Sequence, residues 1–291
     1  MLSSFTGGKN KKKKILLTLL TICMIATCAI GLSACGEKPS GGDSVTQDGL
    51  TYVLNEDNAS YALVQYDNVE DTDLVIPAEI NGKPVTRIGV TAFGNYNNLT
   101  TITIPDSVTW IGNFAFSGCN ALMKVTLGRG VTYIGDGAFG ACYSLVEVCN
   151  LSSLDIVKGS EENGLVAYFA LNVYSDTQGE SKLTNTGDGY VFCEDEEAAY
   201  LVGYRGTATE LVLPDKFNNK NYDLYKYVFE MNTSLESVTI PEGVTDIGEN
   251  AFAGCSSLEK ITIPDSVTDI GLSAFSGCAA LEYNECENAY Y

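Results

Sequence analysis

The chain has 291 residues, a formal net charge of −20 and no histidine. So acidic a surface repels phosphate backbones, and nucleic acid is therefore excluded as an expected partner. The lack of histidine removes histidine-dependent catalytic triads, histidine-ligated metal sites and the usual general base near neutral pH.

The amino-terminal segment has the pattern of an export signal. Residues 1–34 contain five lysines and no acid, and an apolar run covers residues 15–32. A basic start followed by an apolar run is typical of a cleaved signal peptide, although this run is also long enough for an uncleaved anchor. The Leu-Ser-Ala-Cys sequence that ends at Cys35 resembles the bacterial lipobox. We therefore expect a signal peptide over residues 1–34, a lipid on Cys35 that holds the protein at a membrane, and a flexible tether over residues 35–48.

Beyond the tether, apolar residues recur with a period of 23. The unit reads V-T-x-I-G-x-x-A-F-x-x-C-x-x-L-x-x-[IV]-x-[IL]-P, and its phenylalanines are Phe93, Phe116, Phe139, Phe229, Phe252 and Phe275. A fixed period of this length predicts stacked coils, each of which buries its apolar face against its neighbours. The alternation in Ile102-Thr103-Ile104 predicts a half-buried strand that Pro105 ends.

This unit resembles the BspA-type leucine-rich repeat of bacterial surface proteins, over about half of the chain. The resemblance implies a β-rich leucine-rich-repeat solenoid, with one main strand and short irregular or helical turns in each coil. It implies no catalytic residues, because the family has none to transfer. We also expect no enzyme on other grounds, since the paired acids lie in polar loops and the sequence has neither a phosphate-binding loop nor a nucleophile elbow. No metal or cofactor is expected.

A longer duplication organises the repeats into two modules. Tyr-rich hairpin sequences precede each set of coils, so we expect a first hairpin and repeat module over residues 49–148 and a second over 189–291. Residues 149–188 break the period and predict a degenerate coil followed by a polar loop, within one continuous but kinked solenoid. After Leu281 the repeat is incomplete and has no polar cap; both a truncated chain and a complete one remain open.

The cysteines of the repeat occupy one position of the unit, at Cys119, Cys142, Cys255 and Cys278. In leucine-rich repeats that position points inward, so we expect buried thiols that act as small apolar fillers. Disulfides between neighbouring coils are the alternative, but equivalent side chains in a stack need not have disulfide geometry.

Two sets of exposed positions are candidates for recognition. The first is a polar strip on the main strands, formed by Thr103, Thr126, Thr239 and Thr262 with Lys124 and Lys260 beside it. Such threonines also stiffen strands without any binding role.

The second set is the variable residue of V-T-x-I-G. It reads Arg87, Trp110 and Tyr133 in the first module, and Asp223, Asp246 and Asp269 in the second. Arginine and large aromatics are enriched in binding hot spots. The aspartates form an acidic row that is either solvated or occupied by calcium, and solvation is favoured because no D-x-D-x-D loop accompanies them.

Taken together, these features predict a lipid-anchored, extracellular binding protein at the cell surface. The family resemblance implies adhesion to host, matrix or other cell-surface proteins. A non-catalytic envelope spacer and a glycan-binding lipoprotein that uses the aromatic row are the alternatives.

Overall fold

The structure, a computed structural model, describes residues 43–67, 72–194 and 198–281. They all belong to one compact unit, residues 41–291. The predicted signal peptide and the lipidated Cys35 lie outside the described residues. The expectation of a flexible tether to residue 48 is wrong at its end, because Ser44–Gln47 pairs antiparallel with Leu50–Leu54. The cause is the Asp48-Gly49 turn, in which both residues have positive φ, as a tight hairpin requires.

The solenoid of the first module is built from two sheets. Sheet 1 contains, in spatial order, β1 (Ser44–Gln47), β2 (Leu50–Leu54), β3 (Tyr61–Tyr66), β6 (Lys83–Ile88), β8 (Trp110–Ile111) and β10 (Tyr133–Ile134), with β5 (Glu79–Ile80) paired to β6. Sheet 2 contains β12 (Asn172–Tyr174), β11 (Glu147–Asn150), β9 (Lys124–Leu127), β7 (Thr101–Thr103) and β4 (Asp73–Val75).

The second module repeats this arrangement. Sheet 3 contains β13 (Leu183–Asn185), β14 (Tyr190–Glu194), β15 (Ala199–Tyr204), β17 (Asp223–Leu224), β19 (Asp246–Ile247) and β21 (Asp269–Ile270). Sheet 4 contains β16 (Glu210–Val212), β18 (Ser237–Thr239) and β20 (Lys260–Thr262). Within the described ranges, the single helical element is a 3-10 turn over Asn163–Leu165, and no helix there has the length and apolar character needed to cross a membrane.

Each module therefore begins with an antiparallel hairpin and continues as parallel strands. The last hairpin strand pairs parallel with the first coil, β3 with β6 and β15 with β17. The leucine-rich-repeat solenoid is confirmed, with one addition: each regular coil supplies a second, short strand at V-T-x-I-G beside the predicted main strand. That second strand fixes the register of the variable residues from coil to coil.

The core contains one phenylalanine ring from each regular coil, and these rings stack along the solenoid axis. Phe116 is fully buried and stacks between Phe93 at 4.8 Å and Phe139 at 4.9 Å. Phe252 is equally buried and lies 5.1 Å from Phe229 and 5.4 Å from Phe275. Stacked rings at these distances add attraction to the burial of apolar area, so each ring stabilises two neighbouring coils.

The repeat cysteines are free thiols that line the same core. Cys119, Cys142 and Cys255 are fully buried, and Cys278 in the last described coil is half-buried. Each Sγ donates a hydrogen bond to a phenylalanine carbonyl of the preceding coil, for example Cys119 to Phe93 at 3.0 Å and Cys142 to Phe116 at 3.1 Å. The prediction of buried filler thiols is confirmed.

The glycine after the repeat isoleucine is required by the closeness of adjacent coils. A Cβ placed on Gly112 would lie 2.7 Å from the backbone nitrogen of Val90 in the preceding coil. The φ of Gly112 lies outside the left-handed region, so steric room and not a sharp turn is the deciding cause.

The two modules pack against each other through the interruption between them. The N–H of Phe139 donates to the carbonyl of Gly164, whereas in a regular coil the N–H of Phe116 donates to the carbonyl of Ala138. The first pair is further apart along the chain, so the degenerate coil is longer than a regular one. Val146 of the first module shares an apolar cluster with Val191 and Val202 of the second. Tyr143 and Tyr227 stack across the same junction at 4.5 Å.

Candidate binding surface

The variable residues of the first module form one continuous row. Parallel pairing places Arg87 beside Trp110 and Trp110 beside Tyr133 on neighbouring strands. The Arg87 guanidinium carbon lies 4.5 Å from the centre of the Trp110 ring. The rings of Trp110 and Tyr133 are 6.0 Å apart and nearly parallel, at 7°. The three side chains therefore stack across neighbouring coils.

This arrangement covers both faces of the Trp110 ring. Arg87 comes from the strand on one side and Tyr133 from the strand on the other, so only the ring edge is open to a partner. The edges of the row carry hydrogen-bond donors, namely the guanidinium, the indole N–H and the phenol O–H. Because the three side chains hold each other in place, little side-chain entropy remains to be lost on binding.

Two neighbouring residues enlarge the row and were not identified from the sequence. Val90 and Phe114 are exposed over 39 % and 36 % of their surface, and Tyr133 over 45 %. Phe114 has a positive φ of 55°, and its ring lies over Gly137 of the next coil, where a Cβ would come within 2.6 Å of the ring. We call Arg87, Val90, Trp110, Phe114 and Tyr133 the aromatic patch.

A signal for this patch was present in the sequence. Residues 102–119 and 261–278 agree at fifteen of eighteen positions. The three differences are Trp110 against Asp269, Asn113 against Leu272, and Phe114 against Ser273, and all of them lie at or directly after the V-T-x-I-G strand. The two copies therefore differ on one face of the coil and agree in the core.

In the second module the same positions form the acidic row. Asp246 pairs in register with Asp269. A carboxylate oxygen of Asp223 accepts hydrogen bonds from the backbone N–H groups of Thr245 at 2.8 Å and Asp246 at 2.9 Å. Partial burial, and then the charges of Asp223 and Asp269, raise the pKa of Asp246. The described residues contain no group of three or more acidic, cysteine or histidine side chains arranged to hold a metal ion.

The threonines of the polar strip stack as their register predicts. Thr103 pairs with Thr126 in sheet 2, and Thr239 pairs with Thr262 in sheet 4. Those of the first module are half-exposed, and those of the second are exposed together with Lys260. A binding role for the strip stays a prediction.

Lys124 differs from the expectation of a freely exposed binding residue. It is half-buried, and its ammonium lies 3.5 Å from Glu147 and 5.6 Å from the ring centre of Tyr174. Burial acts to lower the pKa of Lys124, but the hydrogen bond with Tyr174 and the charge of Glu147 raise it overall. Lys124 is therefore engaged within the fold.

Glu147 is the centre of that local network. Its side chain is fully buried, and it accepts hydrogen bonds from Ser181 at 2.7 Å, Asn172 at 3.0 Å and the backbone N–H of Lys182 at 2.6 Å. Ser181 and Lys182 belong to the predicted polar loop, so Glu147 fastens the loop to sheet 2. A buried carboxylate needs this number of donors to offset its loss of hydration.

The repeats match a known family. The family model for the BspA type leucine-rich repeat region matches residues 68–161 and 214–290, in six copies. The chain belongs to the BspA-type leucine-rich repeat family. This membership confirms the resemblance seen in the repeat unit, and leucine-rich repeats of this family suggest a protein-interaction role. A comparison with curated proteins gave no match.

Several solved structures resemble this BspA-type chain. A leucine-rich repeat protein from Bacteroides capillosus is 33 % identical and covers 46 % of this chain and 98 % of its own, with a TM-score of 0.38. A leucine rich cell surface protein from Faecalibacterium prausnitzii is 22 % identical over 83 % of this chain and 94 % of its own, with a TM-score of 0.28. The pneumococcal vaccine antigen PcpA is 19 % identical over 83 % of this chain and 80 % of its own, with a TM-score of 0.36.

Proposed function

We propose that this BspA-type protein is a lipid-anchored adhesion protein of the cell surface that binds another protein through the aromatic patch. The signal-peptide pattern of residues 1–34 and the lipobox-like sequence at Cys35 support export and lipid attachment. The family of the repeats supports binding, as opposed to catalysis.

One observation carries this proposal. At the variable position of V-T-x-I-G, the first module carries Arg87, Trp110 and Tyr133, whereas the second carries three aspartates. Packing requires neither set, because both modules build the same core. Trp, Tyr and Arg are the residues most enriched in hot spots, and exposed apolar patches on soluble surfaces mark interaction sites.

The geometry favours a protein partner over a glycan. A sugar ring binds an aromatic side chain by lying on its face, and both faces of Trp110 are covered by Arg87 and Tyr133. The open ring edges and their N–H and O–H donors suit the carbonyl and carboxylate acceptors of a protein surface.

The test uses residues 41–291, which form one compact unit, on immobilised arrays of extracellular proteins and of glycans. The wild type is compared with Trp110→Asp, which copies the second module. Val212→Ser is the control, since Val212 is an exposed apolar residue outside the patch, with 75 % of its surface accessible. A protein hit that Trp110→Asp loses and Val212→Ser keeps supports the proposal. Glycan hits alone point to glycan capture, and no hit on either array favours a spacer.

The lipid anchor is tested separately in cells fed a labelled fatty acid. Cys35→Ala should lose the label, while Cys28→Ala should keep it. Retained label in Cys35→Ala would contradict the proposed anchor.

A further inference from the structure

We propose that the partner of the aromatic patch is a second copy of this chain, which presents its acidic row and Leu272. This inference rests on the proposed function, because the contact surface is the same patch. It makes the protein a homophilic adhesion protein, in which copies on neighbouring cells bind one another.

Neither surface forms an ion pair within the described part of the chain. Some charges there are neutralised locally, as where Arg129 pairs with Asp106 and Asp176, and Lys220 pairs with Glu194. Among the described residues, no ion pair includes Arg87 or any aspartate of the acidic row. The patch therefore offers a cation that stacks on Trp110 but has no ion pair. The row offers carboxylates without a cation, of which Asp223 already accepts hydrogen bonds from Thr245 and Asp246.

The two rows also match in chemistry and spacing. The patch presents hydrogen-bond donors on three successive coils, and the acidic row presents acceptors on three successive coils. Both are carried by parallel strands, so both repeat at about 4.8 Å along the solenoid axis. A single side-by-side placement of two solenoids can therefore bring each donor opposite one carboxylate.

Apolar residues select the direction of that placement. Val90 follows Arg87 by the same number of residues as Leu272 follows Asp269. Leu272 is 77 % exposed, so its side chain is available to a partner. When Arg87 lies opposite Asp269, Val90 lies opposite Leu272, Trp110 opposite Asp246, and Tyr133 opposite Asp223.

This pairing makes the two solenoid axes antiparallel. The amino-terminal ends of the two copies then point in opposite directions, as they must when each chain is anchored at its amino terminus to a different cell. The net charge of −20, which becomes −25 when residues 1–34 and their five lysines are removed, opposes association at long range, but at physiological ionic strength charges are screened beyond about 8 Å. Many weak contacts between two surfaces add up through multivalency.

The experiment is sedimentation velocity of residues 41–291 over a wide concentration range at physiological salt. The wild type should self-associate reversibly. Trp110→Asp disables the patch and Asp246→Lys disables the row, so each variant alone should associate at least about tenfold more weakly. An equimolar mixture of the two variants should form a 1:1 complex, because it contains one intact patch and one intact row.

Asp265→Lys is the matched control, since it makes the same charge change at an exposed acid outside the row, and it should associate like the wild type. Thermal unfolding of every variant checks that it is folded. A wild type that stays monomeric throughout, or a mixture that associates no better than its components, overturns the inference. Binding of a different protein that depends on Trp110 but not on Asp246, without self-association, overturns this inference and leaves the proposed function standing.

Discussion

The two modules have the same interior and opposite exteriors. Each begins with a hairpin, continues as parallel strands and stacks phenylalanines in its core, yet the first exposes the aromatic patch where the second exposes the acidic row. The stacking of coils therefore constrains only the buried positions of the repeat. The variable residue of V-T-x-I-G points away from the core, so it can change without a cost in packing, and recognition can diverge within one chain.

The near-identical segments 102–119 and 261–278 make this division concrete. Their fifteen shared positions include the buried Ile111, Phe116 and Cys119. Their three differences lie on one face. The two copies of the coil therefore share their buried residues and differ at the surface.

The largest expected effects are on stability, and they test whether the cores of the two modules are built alike. Phe116→Ala and Phe252→Ala each remove a fully buried ring between two stacked neighbours. Each should lower the free energy of unfolding by about 3 to 5 kcal/mol. Urea unfolding followed by circular dichroism measures both. A cost under about 1 kcal/mol in one module, with a full cost in the other, would show that the two cores differ.

The Glu147 network sharpens the comparison, because the second module has Ser237 and Lys260 at the corresponding strand positions. Glu147→Ala should destabilise the protein by about 3 kcal/mol, since it leaves the donors of the polar loop and Lys124 without their buried acceptor. Hydrogen exchange should then speed up in residues 175–185. Lys260→Ala, an exposed control, should change stability little, and equal effects of the two substitutions would contradict the account.

The smallest expected effect is that of the acidic row on how the free energy of unfolding depends on pH. The raised pKa of Asp246 means that the folded state binds its proton more tightly than the unfolded state does. Stability should therefore rise as pH falls through the folded pKa towards the unfolded value of about 3.9. Glu230, whose pKa burial raises to about 7, acts in the same direction. Urea unfolding of the wild type and of Asp246→Asn from pH 7 to pH 4 measures this effect. The difference between their free energies of unfolding gives the contribution of the acidic row. Identical pH profiles would show that the three carboxylates do not interact.

Much of the fold followed from the period of 23. Periodicity shows directly which positions recur. Those positions alone determine the stacked phenylalanines, the inward cysteines and the parallel register of the variable residues. The first hairpin strand was missed because the Asp48-Gly49 turn lies in a polar stretch that reads as a tether.

Contacts between distant residues could not be foreseen. Lys124 looked free because its partners Glu147 and Tyr174 come from other coils, and Glu147 is held by a loop more than thirty residues away. Val90 and Phe114 fall in a turn, where exposure depends on backbone conformation and not on alternation along a strand. Sequence reasoning therefore located the centre of the candidate site and missed its edges.

The central claim is that the first module's face binds and that its buried framework does not. The most direct measurement is the dissociation constant, by surface plasmon resonance, of the protein partner found on the array. Trp110→Asp should weaken binding by at least about thirtyfold, as a hot-spot loss of about 2 kcal/mol implies, while Asp265→Asn should bind like the wild type. A folded Trp110→Asp protein that binds with unchanged affinity would contradict the account.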